Sequence, residues 1–266
     1  MIKGLYTAHT GMVNEMNRLD ILTNNLANAD TTAYKKEGTT SRTFADELAI
    51  KIKDTSHYGL PQKLGEVSLV THLGQVYTDW TSGSFKVTDN ETDFALDGEG
   101  FFAVAFTNKD GETSVKYTRD GDFIVDNQGY LRTKDGDYVL NADGARTGNY
   151  GEDYYIRMNP IQSFAVDELG YIYQNDEIVG TIGVIDFENY DYVEKYGENL
   201  YNLVEGGVVT ESTAKVRQGM LETSNVNVVD EMVNMITIQR AYEAGQKVIT
   251  SIDETLATTV KLGKVQ

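Results

Sequence analysis

Cysteine is absent from the 266 residues, which excludes disulfides, thiol nucleophiles and most structural zinc sites. That absence suits a chain that crosses into an oxidising space without needing bridges. Proline occurs only at Pro61 and Pro160, so turns fall mostly to Gly, Asp and Asn. The histidines, His9, His57 and His72, lie in unlike contexts with no His-x-x-x-His spacing, so no metal centre is expected. No stretch approaches the ~18 consecutive apolar residues of a membrane span, which predicts no direct membrane insertion. Met1-Ile2-Lys3-Gly4-Leu5 opens no apolar run of signal-peptide length, so a cleaved signal is not expected. Basic residues are the minority, 23 Lys and Arg against 41 Asp and Glu, and the net charge of -18 argues against nucleic acid as a partner.

The charge is unevenly spread. Residues 1–36 sum to +1 and residues 212–266 to 0, which leaves -19 on residues 37–211. Near-neutral ends can pack against like ends, whereas an acidic middle stays solvated and resists side-by-side aggregation.

The two ends also share a pattern that the middle lacks. Leu5, Ala8, Met12, Met16, Leu19, Leu22 and Leu26 recur at intervals of three or four, an apolar helical face. The run Thr23-Asn24-Asn25 and Asn28 to Thr32 then ends the helix, because these side chains compete for backbone hydrogen bonds. Near the other end, Met235, Ile238, Tyr242, Ile249, Ile252 and Leu256 fit a 3-4 seam, with Gly245 at its weak position marking close packing or a bend. A helix over residues 228–262 would span roughly 50 Å. A lone helix is marginal in water, so each stripe needs a partner.

The expected fold is a mainly β central domain flanked by long N- and C-terminal helices. Residues 1–32 and 225–266 form an assembly domain, 33–80 and 210–224 a connecting region, and 81–209 a β-rich outer domain. Within the connecting region, Ser41 to Lys53 reads as a short helix through Phe44, Leu48 and Ile52, Gly59-Leu60-Pro61 as a turn or loop, and Glu66 to Val76 as extended. Strand signals then repeat at Phe101 to Phe106, Tyr117-Thr118, Phe123 to Val125, Tyr130-Leu131, Tyr138 to Leu140, Tyr171 to Tyr173 and Val179 to Ile185. Asn108 to Gly111, Asp120-Gly121, Asn127 to Gly129, Lys134 to Gly136 and Ala142 to Gly144 read as the intervening hairpin turns.

No constellation points to catalysis. The acidic turns lack the alternating oxygen ligands and terminal Glu of a calcium loop. No nucleophile elbow supports a Ser-His-Asp triad. The glycines of Asp97-Gly98-Glu99-Gly100 lead into a strand rather than a helix, so they cradle no phosphate. Nothing calls for a cofactor, and no enzyme activity is expected. The 17 tyrosines suit β cores and carbohydrate-facing platforms alike, which leaves open a secreted β-domain that binds or hydrolyses cell-wall glycan.

Three stretches together resemble a known family, the basal-body rod and hook proteins of the bacterial flagellum. The first is Arg18-Leu19-Asp20-Ile21-Leu22-Thr23-Asn24-Asn25-Leu26-Ala27-Asn28-Ala29-Asp30-Thr31-Thr32-Ala33-Tyr34-Lys35, preceded by Thr10-Gly11-Met12. The second is Gln218-Gly219-Met220-Leu221-Glu222-Thr223-Ser224-Asn225-Val226-Asn227, running on through Val229 to Ile236 and Gln239-Arg240-Ala241-Tyr242-Glu243. The third comprises Phe94 to Phe102 with Tyr117-Thr118-Arg119-Asp120-Gly121, and Gly197 to Tyr201, which resemble the opening and the closing turn of the family's central β-domain. Length and Gln239 to Glu243 are most similar to the distal-rod type, with the proximal type next. Residues 47–64 fall where distal-rod proteins carry an extra segment linked to a straight, stiff rod.

The resemblance implies a structural subunit that polymerises head-to-tail into a helical tube, transmits torque from motor to hook and encloses an export channel. It implies terminal helices that are disordered in the free subunit and form a coiled coil on assembly. Leu5, Met12, Met16, Leu19, Leu22 and Leu26 would then pack against Met235, Ile238, Tyr242, Ile249, Ile252 and Leu256 of the same or adjacent subunits. Met232, Ile236 and Arg240 join that expected interface, and Asn24, Asn25 and Asn28 satisfy backbone groups at the helix exit. The implied partners are further copies of the chain, neighbouring rod and hook proteins, the flagellar type III export apparatus, and envelope ring proteins as further candidates. Phe44 and Leu48 resemble the element by which such subunits engage the export gate. The implied location is the basal body, outside the cytoplasm.

Overall fold

The computed structural model describes residues 2–43, 47–51, 62–67, 71–109, 111–197 and 199–263. Phe44, Ile52, His57 and the expected Gly59-Leu60-Pro61 turn lie outside the described residues. In chain order the elements begin with α1 (Ile2–Ala27), β1 (Glu37–Thr43), β2 (Glu47–Lys51), β3 (Gln62–Val67), β4 (Thr71–Thr78), β5 (Phe85–Val87), β6 (Phe94–Asp97), β7 (Phe101–Thr107) and β8 (Thr113–Thr118). There follow β9 (Phe123–Val125), β10 (Leu131–Thr133), β11 (Tyr138–Val139), α2 (Ala142–Thr147), β12 (Ala165–Val166), β13 (Tyr171–Gln174), β14 (Glu177–Thr181) and β15 (Val184–Phe187). A short 3-10 turn (Tyr190–Tyr192) leads to β16 (Val193–Gly197), β17 (Leu200–Leu203), β18 (Val209–Glu211), β19 (Lys215–Gln218), β20 (Met220–Glu222) and α3 (Val228–Gly263). A mainly β middle thus lies between two terminal helices.

The chain divides into two compact units. A helical unit comprises residues 1–29, 36–80 and 226–266, and a β unit comprises 30–35 and 81–225.

In the β unit, nine strands form one sheet, in the order β16-β17-β8-β7-β11-β10-β9, with β15 joining β7 and β18 joining β15. Every ladder among them is antiparallel. Strand β7 is the centre, and its continuous apolar run buries both faces, as a strand packed on two sides requires. Alternation separates the two sides: Phe102 and Val104 join Phe94, Phe123, Leu131, Val139, Ile172 and Val216 in the main core. Phe101 instead meets Phe187 and Tyr201, with ring centroids 5.2 and 5.6 Å apart.

Most of the expected turns form as glycine turns. Gly111, Gly129 and Gly136 have φ of 83°, 85° and 102°, and each N–H donates back to the carbonyl three residues earlier. Two expectations fail here. Gly121 is not a positive-φ turn; a Cβ there would lie 1.7 Å from the Phe94 carbonyl oxygen, so backbone proximity is what demands glycine. Residues 142–144 open α2 instead of a hairpin, because the Asn141 side chain accepts from the Gly144 N–H and caps a helical turn. The expected strand from Val179 to Ile185 is also two strands. It breaks at Gly183, whose N–H and C=O bond Leu140 and Ala103.

In the helical unit, β1 pairs with β4 and β2 with β3, both antiparallel. The short helix expected from Ser41 to Lys53 does not form: its first residues end β1 and Glu47–Lys51 are β2. Thr39, Thr40 and Thr43 favour the extended backbone, and pairing of Thr39 with Val76 and Arg42 with His72 outweighs a weak helical spacing. The extended reading of Glu66 to Val76 agrees with the end of β3 and most of β4.

A candidate assembly site

Helices α1 and α3 pack on each other in antiparallel fashion. Gly4 lies beside Ile252, Met12 beside Gly245, and the Asn25 side chain bonds Glu231. The 3-4 seam foreseen on α3 is the face that turns inward. Met235, Tyr242, Gly245, Ile249 and Ile252 are half-buried and Ile238 is 4 % exposed, whereas nearly every other residue of α3 is exposed. Leu256 is exposed at the far end. Gly245 marks close packing: a Cβ there would fall 2.6 Å from Met12 Cγ, so glycine lets the helices approach. On α1, Leu5, Met12, Leu19, Leu22 and Leu26 are half-buried, and Met16 is exposed.

The outward side of α3 is also apolar at its start. Val229, Met232, Val233 and Ile236 recur at i, i+3, i+4 and i+7, and all four are about half exposed or more. Of the expected interface residues, Met232, Ile236 and Arg240 are therefore on the solvent side of the helix pair. Leu48 is placed in strand β2.

The asparagines have distinct tasks. Asn25, 1 % exposed, donates to the Glu37 carbonyl and accepts from the Glu37 N–H, both at 2.9 Å. It thereby acts as a strand partner where β1 begins. Asn28 donates to the Asn24 carbonyl and side chain, closing the end of α1. Asn227 caps α3: its side chain accepts from the Val229 N–H and its carbonyl from the Glu231 N–H. Glu231 is buried in the first turn of α3, and burial pushes its carboxyl above the usual range, against the pull of Lys36 and the Asn25 bond.

Within the β unit, residues 30–35 form a strap along the strands. Thr32 Oγ1 donates to Asp120 at 2.9 Å, and its carbonyl accepts from the Asn199 side chain at 2.8 Å. Burial raises the Asp120 carboxyl, opposed chiefly by that Thr32 bond and by the Asp122 N–H. Ala33 takes a left-handed φ of 54° and donates to the Glu222 carbonyl. Lys35, 1 % exposed, reaches the fully buried Glu222 carboxylate at 2.7 Å, and Arg119 reaches its other oxygen at 3.3 Å.

This trio was invisible to spacing. Lys35, Arg119 and Glu222 each lie inside a motif quoted for resemblance, yet 187 residues separate the first from the last. No periodicity marks a buried charge; only their shared presence in family-like motifs could have drawn attention to them.

Three family descriptions match successive parts of the chain. They are the flagella basal body rod protein over residues 5–35, the flagellar hook protein FlgE/F/G D1 domain over 95–174, and the flagellar basal body rod FlgEFG protein C-terminal over 217–262. The flagellar basal-body rod protein FlgG of Bacillus subtilis is 32% identical over 98% of this chain and 99% of its own length. The flagellar basal-body rod protein FlgF of Caulobacter vibrioides is 33% identical over the whole of both chains. The flagellar hook-basal body complex protein FlhO of Bacillus subtilis is 28% identical, again over both entire lengths. Identity therefore does not separate this chain between the FlgG and FlgF types.

Proposed function

The chain belongs to the flagellar basal-body rod protein family, a family of structural and not enzymatic proteins that assemble with other rod and hook proteins, and on that premise we propose how this subunit builds a rod. Copies add head-to-tail through their helical units, giving a heterologous, non-closing contact and hence a helical tube that carries torque. The 3-4 seam closes the α1–α3 pair within one subunit, and the outward row Val229, Met232, Val233 and Ile236 meets the neighbour, extending the pair into a coiled-coil layer. The observation that carries this reading is a second apolar row left exposed beside a seam already filled. Burying such a row contributes about 25 cal/mol per Å², which offsets the cost of ordering the helices. Charge supports it: the helical unit sums to -2 and the β unit to -16, so like copies repel least through their helices.

The test is polymerisation of the purified subunit, followed by sedimentation and electron microscopy. Met232→Glu with Ile236→Glu is expected to stay monomeric while melting like the unaltered chain; tubes formed as readily as by the unaltered chain would exclude this row as the interface. Limited proteolysis of the free subunit adds a second check. Loss of α1 and α3 ahead of the β unit is expected if the termini order fully only on assembly. Export through the flagellar type III apparatus and contact with envelope rings remain part of this proposal on the strength of the family alone. So does the Phe44 and Leu48 export-gate element.

A further inference from the structure

Four covalent passages join the helical unit to the β unit, at residues 29/30, 35/36, 80/81 and 225/226. On the β-unit side, all four are gathered around one buried carboxylate. From the strap, Ala33 N–H donates to the Glu222 carbonyl at 2.8 Å and Lys35 Nζ to Glu222 Oε1 at 2.7 Å. From the segment that re-enters at 81, the Thr81 carbonyl accepts from Lys35 Nζ at 2.9 Å, and Gly83 N–H donates to Glu222 Oε1 at 2.9 Å. From the segment that leaves at 225, Thr223 N–H donates to the Ser84 carbonyl, Asn225 N–H to the Tyr34 carbonyl, and the Asn225 side chain to Thr81. Arg119 anchors the carboxylate to the sheet through Glu222 Oε2, while its other arm holds the Gly98 carbonyl at 2.9 Å. The backbones touch closely enough that a Cβ on Gly83 would lie 1.9 Å from the Thr223 carbonyl oxygen.

We propose that Glu222, Lys35 and Arg119 form a mechanical junction that divides load among the four passages, so that force entering by one strand is not met by that strand alone. The inference rests on reading the chain as a torque-carrying rod subunit. Its physical basis is parallel loading. Bonds that must break together resist far more than bonds that open one after another, and here three separate segments are tied to the same carboxylate. Water is excluded, with the Lys35 and Glu222 side chains 1 % and 0 % exposed, so the ion pairs are hardly screened by salt. A buried ion cluster that merely stabilised the fold would have no reason to sit where every passage begins.

The absence of cysteine makes the test direct, because thiol handles can be placed uniquely. Asn17→Cys and Gln128→Cys put one exposed handle on each unit of the full-length chain, and the pair is pulled apart by single-molecule force spectroscopy. Three versions are compared: the parent, Glu222→Gln, and a core control, Ile172→Val, in a main-core residue that makes none of the junction's bonds. The expected result is loss of the high-force event in Glu222→Gln and its retention in the control, even where the two variants have equal melting temperatures. Equal loss of force in both, or retention in both, would overturn the junction. Should Glu222→Gln fail to fold, Lys35→Met removes one arm only, and an unchanged rupture force there would be equally decisive. The rod reading is tested separately: a deletion strain that still builds complete rods would refute it without bearing on the force result.

Discussion

In the β unit, Phe94, Leu96, Phe102, Val104, Leu131 and Ile172 are all fully buried, whereas in the 36 residues of α3 only Glu231 and Ile238 are buried. The first region has completed its core within one chain. The second has filled a single seam and left Val229, Met232, Val233, Ile236 and Val260 to solvent. Charge follows the same division, -16 against -2. The asymmetry fits the proposed assembly, in which the helical unit supplies the apolar contact between copies and the acidic β unit does not.

The sharpest way to break the comparison is to unfold one unit and ask whether the other survives. Ile238→Asp buries an unpaired carboxylate in the seam, a change expected to exceed about 4 kcal/mol. Far-UV circular dichroism should lose most of its helical signal, while the protease-resistant β unit persists; joint collapse would show the units to be one cooperative body. Phe102→Ala is the reciprocal experiment, costing about 3–5 kcal/mol through the cavity it leaves in the main core. It should lower the β-unit transition in calorimetry with the helix pair still formed.

Smaller perturbations sharpen the contrast. Gly245→Leu must displace Met12 and is expected to cost the helix pair about 1–3 kcal/mol, with no change in the β-unit transition. The smallest effect is that of Glu231→Gln. Because the folded carboxyl of Glu231 is raised, the fold favours its protonated form. The stability linked to this group is therefore fully present below its unfolded pKa and lost as pH rises through the folded one. Glu231→Gln should melt above the parent at pH 8, on the order of 1 °C, and the gap should close as pH falls towards about 4.

Much of the helical unit was legible because helical spacing is a local signal. The seam through Met235, Ile238, Tyr242, Ile249 and Ile252 turned inward where the 3-4 pattern placed it, and Gly245 marked the tight contact. The glycine turns at Gly111, Gly129 and Gly136 were equally local, since each needs a left-handed backbone. The errors fell where long-range pairing overrode a weak local pattern. Ser41 to Thr43 became strand because β4 offered partners, and Asp143-Gly144 became helix because Asn141 supplied a cap. At Gly121 the expected glycine turn did not form, and glycine is required instead by the close approach of the Phe94 carbonyl, a residue distant in sequence.

By itself, the sequence determined the apolar stripes, the acidic middle, the β-rich character of that middle and the family to which the chain belongs. All of these follow from residue order or from charge. Only the tertiary structure decided which stripe is filled within the chain and which stays open, because one helix cannot reveal what lies across from it. Only it could bring Lys35, Arg119 and Glu222 to a common point. A buried ion pair between distant residues leaves no periodic trace; it exists because folding removes three charges from water at once, and they can be removed only together.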